Sequence, residues 1–137
     1  MADNKTFTLL LMDAPFESPR TTTAFRLLDI CAKRGHNVNV FAYEGAVSLP
    51  FAKQAQHPNA VHGRSAEEED HPLPKDWIAA LQKSFAEHGG KLDWINCGLC
   101  VDERGMGEAI AGVRRGSPGD HWNWAAASDN TLIITTK

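Results

Sequence analysis

A chain of 137 residues, 42% apolar and 23% charged, has the size and composition of one globular domain over residues 1–137, and excludes a disordered chain. A formal net charge of −3 gives no broad footprint for nucleic acid, so direct nucleic-acid binding is disfavoured; two arginines at Arg114-Arg115 beside a glycine read as a solvated turn. Three cysteines make no disulfide framework, the start Met1-Ala2-Asp3-Asn4-Lys5 lacks a signal-peptide plan, and Leu9-Leu10-Leu11-Met12 is too short to span a bilayer, so a cytoplasmic chain with reduced cysteines and no membrane partner is expected.

Residues 6–12 form a compact apolar run that predicts a strand buried on both faces. Residues 13–20, with Pro15 and Pro19, predict a loop. The spacing over 21–34 predicts a helix with Ala24, Leu27, Leu28 and Cys31 on its apolar face, ended by Gly35. Alternation over 37–43 predicts a second strand, and the βαβ unit so formed predicts a parallel pair. Residues 46–55 hold a short helix weakened by Pro50, and 56–74 form a long polar loop with the acidic run Glu67-Glu68-Glu69-Asp70. A loop of that length can serve as a lid, and covering a reactive residue is the role it suggests. Residues 75–88 predict a helix with Trp77, Ile78, Leu81 and Phe85 on one face, before a third strand at 91–96.

A brief fourth strand is expected around Val113. Ser117-Pro118-Gly119-Asp120 has the spacing of a capping box, opening a helix filled by buried tryptophans, Trp122 and Trp124, with Asn130 as its stop. The β-branched run 131–136 predicts a last strand. The alternation throughout predicts an α/β fold: a three-layer α/β/α domain with about five mostly parallel strands.

Most of the chemistry lies in Trp94-Ile95-Asn96-Cys97-Gly98-Leu99-Cys100-Val101-Asp102-Glu103-Arg104-Gly105. Cys97 falls where an apolar strand ends and a short helix begins, beside backbone N–H groups of Gly98 and Leu99 that favour a thiolate. Four readings compete for Cys97 and Cys100. Core packing is the reading preferred for Cys31, but it suits Cys97 less, because strand C-termini in parallel sheets carry sites. A zinc centre lacks its second half, as no other Cys-x-x-Cys exists and His57, His62, His71 and His121 are scattered; no metal is expected. A dithiol oxidoreductase would use both thiols, although a thioredoxin-type motif stands earlier in its chain. A sulfur carrier would use Cys97 as the persulfide-forming nucleophile, with Cys100 resolving, assisting or packing. Arg104 reads either as a support for the site or as a cap on the last carbonyls of its helix. A non-catalytic small-molecule-binding or thiol-sensing homo-oligomer stands as the alternative from another class.

The runs LLLMDAPFESPRTTTAFRLL, RGHNVNVFAYEGAV, FAEHGGKLDWINCGLCVDERGM and SDNTLIITTK, in that order, cover nearly the whole chain. They resemble the DsrE/DsrF-like family of sulfur-relay proteins, TusD-like members in particular. The resemblance implies a sulfurtransferase-type role in which Cys97, with the Arg104-Gly105 pair ending eight residues past it, accepts sulfane sulfur and Cys100 is auxiliary. It also implies sulfur donor and acceptor proteins as partners and assembly as a homotrimer or homohexamer; no cofactor is expected, since Gly105-Met106-Gly107 is too short for a dinucleotide fingerprint. The loop 56–74 and the Trp122-Asn123-Trp124 cluster depart from the family pattern.

Overall fold

The computed structural model describes residues 3–136. Met1 and Ala2 of the start, and Lys137 at the end of the closing motif, lie outside the described residues. The elements run β1 (Thr6–Leu11), α1 (Arg20–Lys33), β2 (Asn37–Ala42), a 3-10 turn (Glu44–Ser48), a second 3-10 turn (Ala60–His62), α2 (Pro74–Glu87), β3 (Leu92–Cys97), α3 (Gly98–Arg104), β4 (Val113–Gly116), α4 (Pro118–Ala127) and β5 (Asn130–Ile134). All strands are parallel, in the order β4-β3-β2-β1-β5. No described helix is long and apolar enough to cross a membrane.

Register turns the apolar alternation of the strands into rows across the sheet. Val113, Trp94, Val40, Leu9 and Leu132 align on one face. The next row, Arg114, Ile95, Phe41, Leu10 and Ile133, points to the other, because successive side chains alternate. The first face carries the larger core, where Ala24, Phe25 and Leu28 of α1 and Ile78, Leu81 and Phe85 of α2 pack on Leu9, Val40 and Trp94. The second holds a smaller cluster of Phe41, Val47, Ile95, Cys97, Cys100 and Val101, flanked by Leu10, Tyr43, Met106 and Trp124. No residue of α4 is fully buried, so this face is thinly covered.

Several expectations shift. The buried stripe of α1 is Thr21, Ala24, Phe25, Leu28 and Ala32. Leu27 and Cys31 are displaced to its margin, where α1 overhangs the last strand and they line a groove with Leu9 and Leu132. The short helix expected over 46–55 is a 3-10 turn five residues long that starts earlier, at Glu44. The capping box of α4 forms, with Ser117 and Asp120 bonding reciprocally, but Trp122 is 75% exposed and only Trp124 joins the cluster. Asn130 opens β5 rather than stopping α4, whose C-cap is Ser128. Arg114 and Arg115 lie on β4, not in a solvated turn, paired with Asp93 and Asp102.

Chain connectivity places the cysteine corner. After β3 the chain enters α3, whose Cys100 and Val101 join the smaller cluster, and then returns along the α1/α2 face, where Ile110 joins the larger core and Gln82 donates to the Ala111 carbonyl. After β4 it passes directly into α4 beside the smaller cluster. A crevice lined by Asn96, Val101, Met106, Val113 and Arg115 lies between β3 and β4 at the C-terminal end of the sheet, where parallel α/β sheets bind ligands. Cys97 and its register partner Gly116 stand at that crevice.

Candidate functional site

Cys97 ends β3 on the same face as Ile95 and occupies the N-cap position of α3, with no side-chain capping bond. Cys100 follows one helical turn later, and α3 stops at Gly105, which adopts φ 63°. Both thiols are free and buried, Cys97 2% and Cys100 4% exposed. The sequence places Cys97 at the end of a strand, and the structure both keeps it there and roofs it. The apolar residues against the pair are Phe41, Val47, Ile95 and Val101, with Tyr43, Met106 and Trp124 beside them.

The roof comes from the end of β2, not from the loop 56–74, none of whose residues belongs to the thiol cluster. That loop bonds within itself, Gln56 to the His71 carbonyl and Arg64 to Glu69, and His71 meets the ring of Phe16 edge-on. Over the thiols stand Tyr43 and Glu44. The Glu44 N–H donates to Cys100 Sγ at 3.2 Å, while its carboxylate takes a hydrogen bond from Arg104 Nη2 at 2.9 Å. Glu44 adopts φ 52°, a left-handed backbone that costs a non-glycine residue on the order of 1–3 kcal/mol. Arg104 thus ties α3 to this turn through Glu44, the contact that fits the support reading.

On the other side of α3, Arg115 reaches across the crevice. Its Nη2 donates to the Gly98 carbonyl at 3.1 Å and to Asp102 Oδ2 at 2.9 Å. A Cβ on Gly98 would lie 3.2 Å from that nitrogen, so glycine here lets the guanidinium lie close against the start of α3. The Arg115 hydrogen bond lowers the Asp102 carboxyl below its usual range, and Asp102 in turn raises Arg115.

Burial, then the adjoining Cys97 thiol, pushes Cys100 up to about 11, against the lowering effect of the Glu44 N–H. The Glu44 carboxylate, then Cys100, raises the Tyr43 phenol. Cys31 lies away from this group on α1, and burial raises its thiol, which fits a packing role. Sequence reasoning missed Tyr43, Glu44, Arg115 and Asp102. The signal available for the first two was topological: the residue after β2 must fall beside the end of β3 in a parallel sheet.

His121 of α4 tilts against Phe41, ring centroids 5.7 Å apart, with Nδ1 buried and unpartnered among the described residues. Burial holds its imidazole below the ordinary value of 6.5. A depressed folded pKa means that protons favour the unfolded chain. This contribution to stability is intact above 6.5 and is lost as pH falls through the folded value. His121→Phe should therefore flatten the decline of Tm between neutral and mildly acidic pH, and an unchanged profile would assign that decline to other groups.

A family model described as DsrE/DsrF-like matches residues 5–133. The chain belongs to the DsrE/DsrF-like family. An uncharacterized protein of Methanopyrus kandleri is 28% identical over 129 residues, covering 93% of this chain and 92% of that one. The crystal structure of the YchN protein from E. coli superposes with a TM-score of 0.73 at 16% identity, over 95% of this chain and 99% of that one, and shows the shared fold. The DsrE/DsrF-like frame therefore includes the β3 corner and both of its cysteines.

Proposed function

We propose that this chain is a sulfur carrier of sulfurtransferase type: Cys97 accepts sulfane sulfur as a persulfide and passes it to a partner protein. The observation that carries the reading is the position of Cys97 at the C-terminal end of β3, beside the crevice and beneath the Tyr43-Glu44 turn. Attack on a sulfane donor requires a thiolate, and the N–H groups of Gly98 and Leu99, which begin α3 without intrahelical acceptors, are the donors that would stabilise it. Arg104 supports the site by fixing Glu44. Apolar packing around the thiols limits water and stray thiols, which suits storage of a labile persulfide. A reducing cytoplasm fits three free cysteines, and assembly as a homotrimer or homohexamer belongs to the same reading.

Intact mass after brief exposure to polysulfide in mildly acidic buffer tests the assignment. The wild type and Cys100→Ser should each gain about 32 Da, and Cys97→Ser should gain nothing. A gain that survives in Cys97→Ser would overturn the choice of nucleophile. A co-purifying small molecule with no gain in any chain would favour the non-catalytic binding module.

A further inference from the structure

The burial of the two cysteines bears on where the stored sulfur goes. Cys97 is 2% exposed, so an acceptor thiol carried on a partner protein meets a closed surface that only small sulfur species pass. Cys100 already lies in the same cluster, one helical turn away, with its thiol next to that of Cys97. The Glu44 N–H points at Cys100 Sγ from 3.2 Å, a donor placed where negative charge must develop if Cys100 ionises. Arg104 holds that donor in place through the Glu44 carboxylate. Among the described residues, these contacts equip Cys100 as an internal thiol rather than as filler.

Building on the persulfide reading above, we propose that Cys100 discharges the Cys97 persulfide within the chain, releasing hydrosulfide and leaving a Cys97–Cys100 disulfide. Cys100 gives its proton to solvent base, and its thiolate attacks Cys97 Sγ. The Cys100 Sγ–Cys97 Sγ bond forms as the bond from Cys97 Sγ to the outer sulfur breaks, and that sulfur leaves with the electron pair as HS⁻. The sulfane sulfur is reduced to sulfide and the two cysteines are oxidised to a disulfide. An external dithiol reductant must then restore both thiols before another turn. In the closed state the chain is thus a sulfide-releasing device, and delivery to a protein acceptor requires opening of the roof.

Deprotonation of a thiol raised to about 11 makes the internal step slow at neutral pH and faster in base. Its rate should climb about tenfold per pH unit between pH 7 and 10. The test follows intact mass and trapped sulfide after loading with polysulfide in mildly acidic buffer, rapid desalting and transfer to higher pH. In the wild type the species about 32 Da heavier should convert to one about 2 Da lighter than the reduced chain, with one sulfide released per chain. In Cys100→Ser, and in Cys100→Ala as a second variant, the heavier species should persist at least about tenfold longer. Circular dichroism establishes that each variant is folded, and the pH dependence of the wild type reads the same step without substitution. If the wild type holds its added sulfur as long as Cys100→Ser, with no lighter species at any pH, internal discharge is wrong and the carrier reading survives. If neither the wild type nor Cys100→Ser gains mass, the carrier reading falls and this step falls with it.

Discussion

Replacing Asn96 by Ala should destabilise the fold by about 3 kcal/mol and loosen the thiol site at the same time. Asn96 is 2% exposed and joins two buried groups. Its Oδ1 accepts from Trp94 Nε1 at 3.1 Å, and its Nδ2 donates to the Val47 carbonyl at 3.2 Å. Truncation leaves an indole N–H and a carbonyl without partners away from water, each worth about 1–3 kcal/mol when orphaned. The second bond also ties the Glu44–Ser48 turn to β3, and that turn carries the N–H over Cys100. Urea unfolding should show the loss, and alkylation of Cys97 and Cys100 under native conditions should be faster than in the wild type. A loss within about 0.5 kcal/mol would mean that these two bonds are replaced on truncation.

Gly90→Ala should be the most damaging single methyl group, again by about 3 kcal/mol, for a steric reason alone. A Cβ at this position would fall inside the van der Waals envelope of the His36 carbonyl oxygen, which is backbone and cannot rotate aside. Two turns meet there, one leading into β2 and the other into β3. The clash pushes them apart where Val38 N–H bonds the Lys91 carbonyl and where the Val38–Leu92 register begins. The urea midpoint should fall with the m-value unchanged, as expected for a native-state clash. A midpoint close to that of the wild type would show that the two turns separate at little cost.

The strands and long helices were legible because their periods are strong. Thr6–Leu11 and Asn37–Ala42 read as strands from compact or alternating apolar residues, and Ile78, Leu81 and Phe85 give α2 its stripe. The cysteine corner was legible for the same reason, since an apolar strand followed by Gly98 and a short polar segment leaves few alternatives. What was hidden depends on neighbours distant in sequence. The stripe of α1 turned away from Leu27 and Cys31 because β5 lies beside β1, at the edge, and no local pattern states that order. Trp122 reads as core by type, yet one short helix on a wide sheet face leaves it in solvent. Glu44 gives no sign of its positive φ, because glutamate is not a residue that favours it. Arg115 became a site residue only when β4 was laid beside β3.

The unequal covering of the two sheet faces has a kinetic consequence. Free energies of local opening vary across a fold, and the parts with the least buried apolar contact open first. By that measure α4 and the edge strand β5, which carries Leu132 and Ile133 partly in solvent, form the unit of lowest protection against hydrogen exchange. Trp124 of α4 is one of the residues closing over the thiol cluster. The amides of α4 should therefore exchange well before those of α1 and α2, and its opening should uncover the Trp124 side of the thiol cluster while the Tyr43-Glu44 turn stays in place. A loosely held helix beside a firmly tied turn thus sets two barriers of unequal height around the buried sulfur, and the lower one is crossed more often.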